Sequence, residues 1–383
     1  MSVFDAVVGQ SRALEALERA VRDATQEPPG PGMTHAWLFT GPPGSGRSVA
    51  ARAFAAALVC SDGGCGVCAD CHTAMLGTHS DVDHIATEAM TISVDKIRSL
   101  VLEAAAAPSV ARWRVMVIED ADRLTESANN ALLKSLEEPT PHTVWLLCAP
   151  SMEDLLPTIR SRCRHIVLAT PAAQDVARHL MERDGIDEPM AAFAARASMG
   201  HIGRARGLAK DEQARLTRAA TLSLPLNVGS LGGALLSARE LVEAATERGA
   251  ERTRLVDQQE RIELARGMGV ENPDRPPAWA RTEFKRLKDA QEKRRKRATI
   301  DELDRDLQDL LAFYRDILVV QVDGGVVLVN AEQLPNIEKV ARRGTPETTM
   351  QAMQAILEAR EKITAYVTPL LAVEEMALAL KAG

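Results

Sequence analysis

At 383 residues the chain is too long for one compact core, so two or three domains are expected. Hydrophobic residues make up 46% and aromatics only 3%, which puts the apolar mass on Ala, Leu and Val and points to helices packed through small side chains. A net charge of −7 excludes a protein that coats DNA with its whole surface, while leaving room for a local basic patch.

The first residues, MSVFDAVVGQ, lack a basic start followed by an apolar run, and no segment is long and apolar enough to span a bilayer. No membrane partner is therefore expected, and the cytoplasm is the expected compartment. Six cysteines kept reduced there suggest metal binding, where they cluster, before disulfides.

The first half alternates helix and strand signals. SRALEALERAVRDA has apolar residues at helical spacing, with Ser11 as its expected cap. HAWLFTG reads as a short buried strand, and it runs into GPPGSGRS, Gly41 to Ser48. A glycine-rich turn between strand and helix lets backbone N–H groups close around a phosphate. Gly41, Gly44 and Gly46 supply the tight geometry, and Ser48 would place its hydroxyl on Mg²⁺. The lysine that normally reaches the β- and γ-phosphates is replaced by Arg47. Arginine keeps the charge on a larger planar fork that is not interchangeable with lysine at such a site. The alternative, that Arg47 works as lysine would in a chain rich in arginine, stays open.

The helix SVAARAFAAALV leads into CSDGGCGVCADC, where Cys60, Cys65, Cys68 and Cys71 form a C-x4-C-x2-C-x2-C run. Four thiolates within twelve residues, with glycines in the turns, suit a tetrahedral zinc ion with no open position, hence a structural one. An iron–sulfur cluster is the alternative. His72 and His79 lie nearby and are not needed. Cys148 and Cys163 read as core or turn residues.

WRVMVIED is a buried strand ending in Glu119 and Asp120, with Asp122 beyond. An acidic strand end should supply a metal ligand and a group that activates water. Nucleotide motors usually read Asp-Glu here, the longer side chain second; this order is reversed. ESANNALLKSLEE is a helix stopped by Pro139, and TVWLLCAP and RHIVLAT are the last strands. Alternating strands and helices imply a parallel sheet covered on both faces.

After Pro171 the pattern is helical throughout. Residues 172–210 suggest three short helices broken at DGIDEP and GHIGR, and longer helices follow from about 220. The charged run Arg281 to Arg297 leaves two readings open: contact with DNA phosphates, or one solvated helix continuing into DELDRDLQDL.

The phosphate loop, the cysteine module straight after its helix, NNALLKSLEEP and TIRSRC together resemble the bacterial replicative clamp-loader family. These are AAA+ proteins that open a ring-shaped sliding clamp and place it on primed DNA. The resemblance implies an α/β fold: an AAA+ P-loop parallel-sheet domain over 1–171 with a zinc module at about 60–72, a small helical lid domain over 172–215, and an all-α collar domain over 216–383. It implies as partners the other clamp-loader subunits (the gamma/tau ATPases and delta), the sliding clamp, and primed DNA through the assembled complex. It implies as cofactors a structural zinc, and ATP or ADP, with Mg²⁺, bound without efficient hydrolysis.

Four departures from an active loader ATPase stand out against the family pattern. They are Arg47, the reversed Glu119-Asp120 pair, Ala149 or Pro150 at the polar sensor position, and Gly203 where the lid arginine should stand. Arg204, one place on, is rotated by about 100 degrees on a helix. One element is intact: in Ser161-Arg162-Cys163 the arginine matches the family's finger, which points into a neighbour's ATP site, with Arg160 the competing candidate. The expected role is a non-hydrolysing end subunit that serves its neighbour. The alternatives are an active ATPase subunit of the gamma/tau kind, and a DNA-binding zinc protein, against which the cysteine loop lacks basic and aromatic residues.

Overall fold

A computed structural model describes residues 2–86, 91–365 and 367–382, and it divides into two compact units, 1–210 and 211–383. The first unit is built on a five-stranded, all-parallel sheet. Along the chain come α1 (Ser11–Ala24), β1 (Ala36–Thr40), α2 (Arg47–Val59), α3 (Ala69–Leu76), β2 (Val82–Ile85) and α4 (Val94–Ala104). Then follow β3 (Arg114–Ile118), α5 (Glu126–Glu137), β4 (Thr143–Ala149), the short α6 (Pro157–Arg160) and β5 (Arg164–Val167). The spatial order is β2-β3-β4-β1-β5, with Leu38 opposite Leu147 and His165, and Val117 opposite Leu146.

Period-two alternation on β1, β3 and β4 divides the core into two layers. Trp37, Phe39, Val115, Val117, Leu146 and Cys148 face one layer with Phe54 and the alanines of α2. Leu38, Met116, Ile118, Trp145 and Leu147 face the other, with Ile97 and Leu100 of α4 and Leu132 and Leu136 of α5. The alanine-rich sequence of α2 lets that helix lie close to the sheet: all six of its alanines and its phenylalanine are buried.

Two sequence expectations change here. Ser11 is the first helical residue of α1, and Gln10 holds the cap position without capping it, because its amide is engaged elsewhere. β2, α3 and α4 have no counterpart in the sequence reading. β2 is only four residues long and two of them, Asp83 and His84, are half-buried and polar, so it lacks an apolar run.

The three short helices expected over 172–210 are α7 (Ala173–Asp184), α8 (Glu188–Ala197) and α9 (Ile202–Lys210). They close the first unit. The second unit is helical among its described residues: α10 (Glu212–Asn227), α11 (Leu231–Gly267), α12 (Arg281–Gln321), α13 (Leu334–Ala341), α14 (Pro346–Thr364) and α15 (Pro369–Ala382). Its apolar core uses the start of α11 and the end of α12, around Leu241, Leu307, Phe313, Ile356 and Val373. A buried ionic group crosses that core edge. Arg218, 5% exposed, reaches Asp309 at 3.1 Å and Glu332 at 3.0 Å, and also donates to Asn330.

Candidate functional site

The phosphate-type loop sits where its sequence requires, between the C-terminal end of β1 and the N-terminus of α2. Gly44 and Gly46 have φ of 87° and 89°, a backbone region that costs any other residue strain. Gly46 caps α2, whose first turn presents free backbone N–H groups. The loop is pinned from three sides. Gly41 N–H donates to Pro150 O at 3.1 Å, and Gln10 Nε2 donates to Ser45 O at 3.2 Å and to Ala169 O at 2.6 Å. Gln10 Oε1 in turn accepts from Ala169 N–H at 3.1 Å. Gln10 thus ties α1, the loop and the segment after β5 together, a role the sequence reading missed. A lone glutamine before a helix carries no signal of its own.

The third side is the helical group of α7–α9. A Cβ built on Gly44 would stand 2.6 Å from His201 Cβ and 2.8 Å from its Cα, so the start of α9 lies directly on the loop. Arg204 N–H bonds to His201 Nδ1 at 3.2 Å. Gly203 projects no side chain toward the loop. Arg47 turns back and donates to the loop's own Gly41 carbonyl.

Glu119, just after β3, is held by His84 and Arg52. His84 Nε2 donates to its Oε1 at 2.7 Å and Arg52 Nε lies 3.5 Å away. Burial disfavours the Glu119 carboxylate, but His84, Arg52 and a hydrogen bond from Ser48 outweigh it and hold the group below its ordinary range. Asp122 goes the other way, pushed up by burial and by the charge of Asp120. Ser48 and Glu119 therefore meet, as the sequence expects of a metal-side hydroxyl and an acidic strand end. β4 ends at Ala149, and Pro150 uses its carbonyl on Gly41. Both residues leave that position without a polar side chain.

The cysteine run follows α2 directly. Cys60, Cys65, Cys68 and Cys71 bring their sulfurs within 4.8 Å of one another. Metal–sulfur bonds of about 2.3 Å in a tetrahedron give sulfur–sulfur edges of about 3.8 Å. Cys60 Sγ is 3.8 Å from Cys65 Sγ and 3.7 Å from Cys68 Sγ, which fits. Backbone N–H groups of Gly66 and Cys71 point at Cys71 Sγ and Cys68 Sγ, at 3.3 and 3.4 Å. Burial opposes the Cys60 thiolate, yet N–H groups of Cys65, Gly64 and Asp62 bring it down to about 7. Sulfurs this close could hold one ion and leave no room for several bridged irons. His79 stays outside: its Nδ1 accepts from Asp81 N–H and its Nε2 faces Asp70 at 3.6 Å.

Arg162 stands after α6 with its side chain 36% exposed. Its guanidinium contacts Glu137 at 2.7 Å and donates to Thr158 O at 2.8 Å. An ion pair this exposed is worth at most about 1 kcal/mol. Arg160 is half-buried in the last turn of α6, Cys148 is a core residue of β4 and Cys163 packs against the core, as the sequence expects.

Comparison with known proteins agrees with this geometry. Residues 10–172 match the family model of the DNA polymerase III delta subunit. This chain resembles the delta-prime and gamma/tau subunits of bacterial DNA polymerase III. The gamma/tau subunit of Mycobacterium tuberculosis is 36% identical over 42% of this chain and 28% of its own length. The delta-prime subunit of Pseudomonas aeruginosa is 39% identical over 36% of this chain and 44% of the relative. That of Bacillus subtilis is 24% identical over 92% of both chains. The gamma/tau relatives are thus matched over about a quarter of their length, while one delta-prime relative is matched nearly end to end. The strand order, the glycine-rich loop between β1 and α2 and the helical group that closes on it give the first unit a parallel α/β fold of the P-loop type. Among the described residues no helix is long and apolar enough to cross a membrane.

Proposed function

We propose that this chain is a clamp-loader subunit of bacterial DNA polymerase III, of the delta-prime kind. In this reading it helps load the sliding clamp onto primed DNA, as an end subunit that does not hydrolyse ATP. It assembles with gamma/tau ATPase subunits and delta through its helical second unit. Residues 1–171, 172–215 and 216–383 serve as nucleotide-binding-like domain, lid and collar.

The observation that carries the reading is the state of the phosphate loop. Its backbone is kept, but Arg47 bonds to the loop's own Gly41 carbonyl, and His201 packs on Gly44. Glu119 is committed to His84 and Arg52, and the shorter Asp120 follows it, a poor reach for activating water. ATP or ADP, with Mg²⁺ near Ser48, can still bind such a loop through N–H groups. Turnover needs a lysine, a well-placed base and a lid arginine together, and each is replaced.

Arg162 is the residue through which the subunit acts. Its weak tether to Glu137 leaves the guanidinium available to a neighbour's γ-phosphate, where it offsets charge that grows during transfer; such fingers are worth ~10³-fold or more. The four cysteines hold a structural zinc that staples the loop between α2 and α3. Zinc does no chemistry on substrate here.

A second reading, an active ATPase of the gamma/tau kind, is favoured by the 36% identity to those subunits over 167 residues. Steady-state ATP hydrolysis by the isolated chain separates the two. Turnover at background level supports the delta-prime reading; turnover that Arg47→Ala abolishes supports the motor.

A further inference from the structure

The long hairpin of α11 and α12 has a part that the second unit's core does not use. Core residues on α11 end at Ala245 and those on α12 begin near Ile300. Between them, residues 250–297 form an arm held by its own contacts. Arg294 reaches Asp257 at 2.7 Å and Glu260 at 2.5 Å, and Gln291 donates to Asp257 O at 2.8 Å. A small apolar plug of Ala265, Val270, Ala280 and Phe284 closes the far end.

The charge of this arm runs against that of the chain. It carries fourteen Lys and Arg against nine Asp and Glu, a net of +5 in a chain of net −7. Several of its acids are neutralised internally: Asp257 and Glu260 by Arg294, Asp274 by Arg261, Glu283 by Arg286. Four of its cations lie in one row, two of them in long ion pairs, Lys288 with Glu292 at 3.9 Å and Arg295 with Asp257 at 3.7 Å. Arg281, Lys285, Lys288 and Arg295 fall at i, i+4, i+7 and i+14, all exposed. Together with Arg261 they line one cleft of about 460 Å³. The row spans about 21 Å, the axial length of roughly six base pairs. Trp279, 63% exposed, stands just before the row, where an indole can lie against a base or sugar.

We propose that this arm is a sequence-independent DNA-binding element that grips the phosphate backbone through Arg281, Lys285, Lys288 and Arg295. A row of cations spaced along a helix fits a regular polyanion. The inference does not rest on the clamp-loader reading, since capture of DNA is read without nucleotide, clamp or partner subunits.

The test uses the full chain and a fluorescently labelled 20-base-pair duplex of mixed sequence. Anisotropy should show binding that weakens about 100-fold between 50 and 200 mM salt, as four phosphate contacts require. Trp37, Trp113 and Trp145 are buried, so quenching of intrinsic fluorescence on binding reports Trp279. The exposed triple variant Arg281→Glu/Lys285→Glu/Lys288→Glu should lose more than tenfold in affinity. The milder Lys285→Gln/Lys288→Gln should lose less, both at unchanged Tm. Wild-type affinity in both variants, or polyglutamate binding as tight as DNA binding, overturns the proposal; the latter marks an acidic protein segment as the occupant.

Discussion

The two ends of α2 lead into glycine-containing loops that differ in what they keep. At its N-terminus, GPPGSGRS keeps the backbone of a phosphate loop with altered side chains. At its C-terminus, CSDGGCGVCADC brings four cysteine sulfurs within 4.8 Å of one another. The difference lies in what each chemistry requires. A thiolate set needs four identical donors within reach of one point, and spacing alone nearly secures that. Phosphoryl transfer needs unlike groups from β1, β3, β4 and α9 to meet, and a change in any one disables the set. One end of the helix keeps a full set of candidate ligands; the other keeps a backbone with altered side chains.

The comparison breaks most easily at the cysteine end. The purified chain should contain about one zinc, and Cys71→Ser should lose it and leave the loop after α2 unfolded. Metal analysis and a thermal melt check this, with the largest expected Tm loss of any change here. Zinc retained by Cys71→Ser would remove the contrast.

Asp81, just before β2, gives the next largest effect. It is fully buried and accepts from Ser109 N–H and Oγ, Val110 N–H and Ala111 N–H, at 2.6 to 2.8 Å. Burial would raise its pKa, yet these bonds bring it down to about 2. A carboxylate depressed in the folded state stabilises above the unfolded value near 4, and that contribution is lost as pH falls from about 4 through 2. Asp81→Ala should cost about 2–3 kcal/mol at neutral pH by stranding those donors. Denaturant melts at pH 7 and pH 3 should show the gap between wild type and variant narrowing at the lower pH.

At the loop end, Gly44→Ala sharpens the contrast. The positive φ and the contact with His201 should together cost about 1–3 kcal/mol, seen as a lower Tm. Arg47→Lys should have the smallest effect. It restores the missing lysine, but Glu119-Asp120, Ala149 and Gly203 remain, so ATP turnover of the isolated chain should stay at background.

Most of the first unit was legible because its strands are apolar runs and its loops contain glycines at fixed offsets. The strand-to-P-loop-to-helix step and the cysteine set came directly from spacing. What was not legible depends on distant contacts. β2 owes its place to pairing with β3 rather than to its own pattern, and Ser11 yields the cap to Gln10 because Gln10 is drawn to Ser45 and Ala169. His84 on Glu119 and His201 on Gly44 unite residues 35 and 157 positions apart, which no local pattern encodes. In the second unit the charged run does form one helix with the acidic stretch that follows it, yet its outward row of cations emerges only when the internal ion pairs are known.

The central claim is that this subunit serves a neighbour's chemistry rather than its own. The direct measurement is steady-state ATP hydrolysis by a reconstituted clamp loader with clamp and primed DNA, carrying Arg162→Ala or Arg47→Ala in this chain only. The account predicts that Arg162→Ala lowers turnover sharply while Arg47→Ala leaves it nearly unchanged. Full turnover with Arg162→Ala, or its collapse with Arg47→Ala, would contradict it.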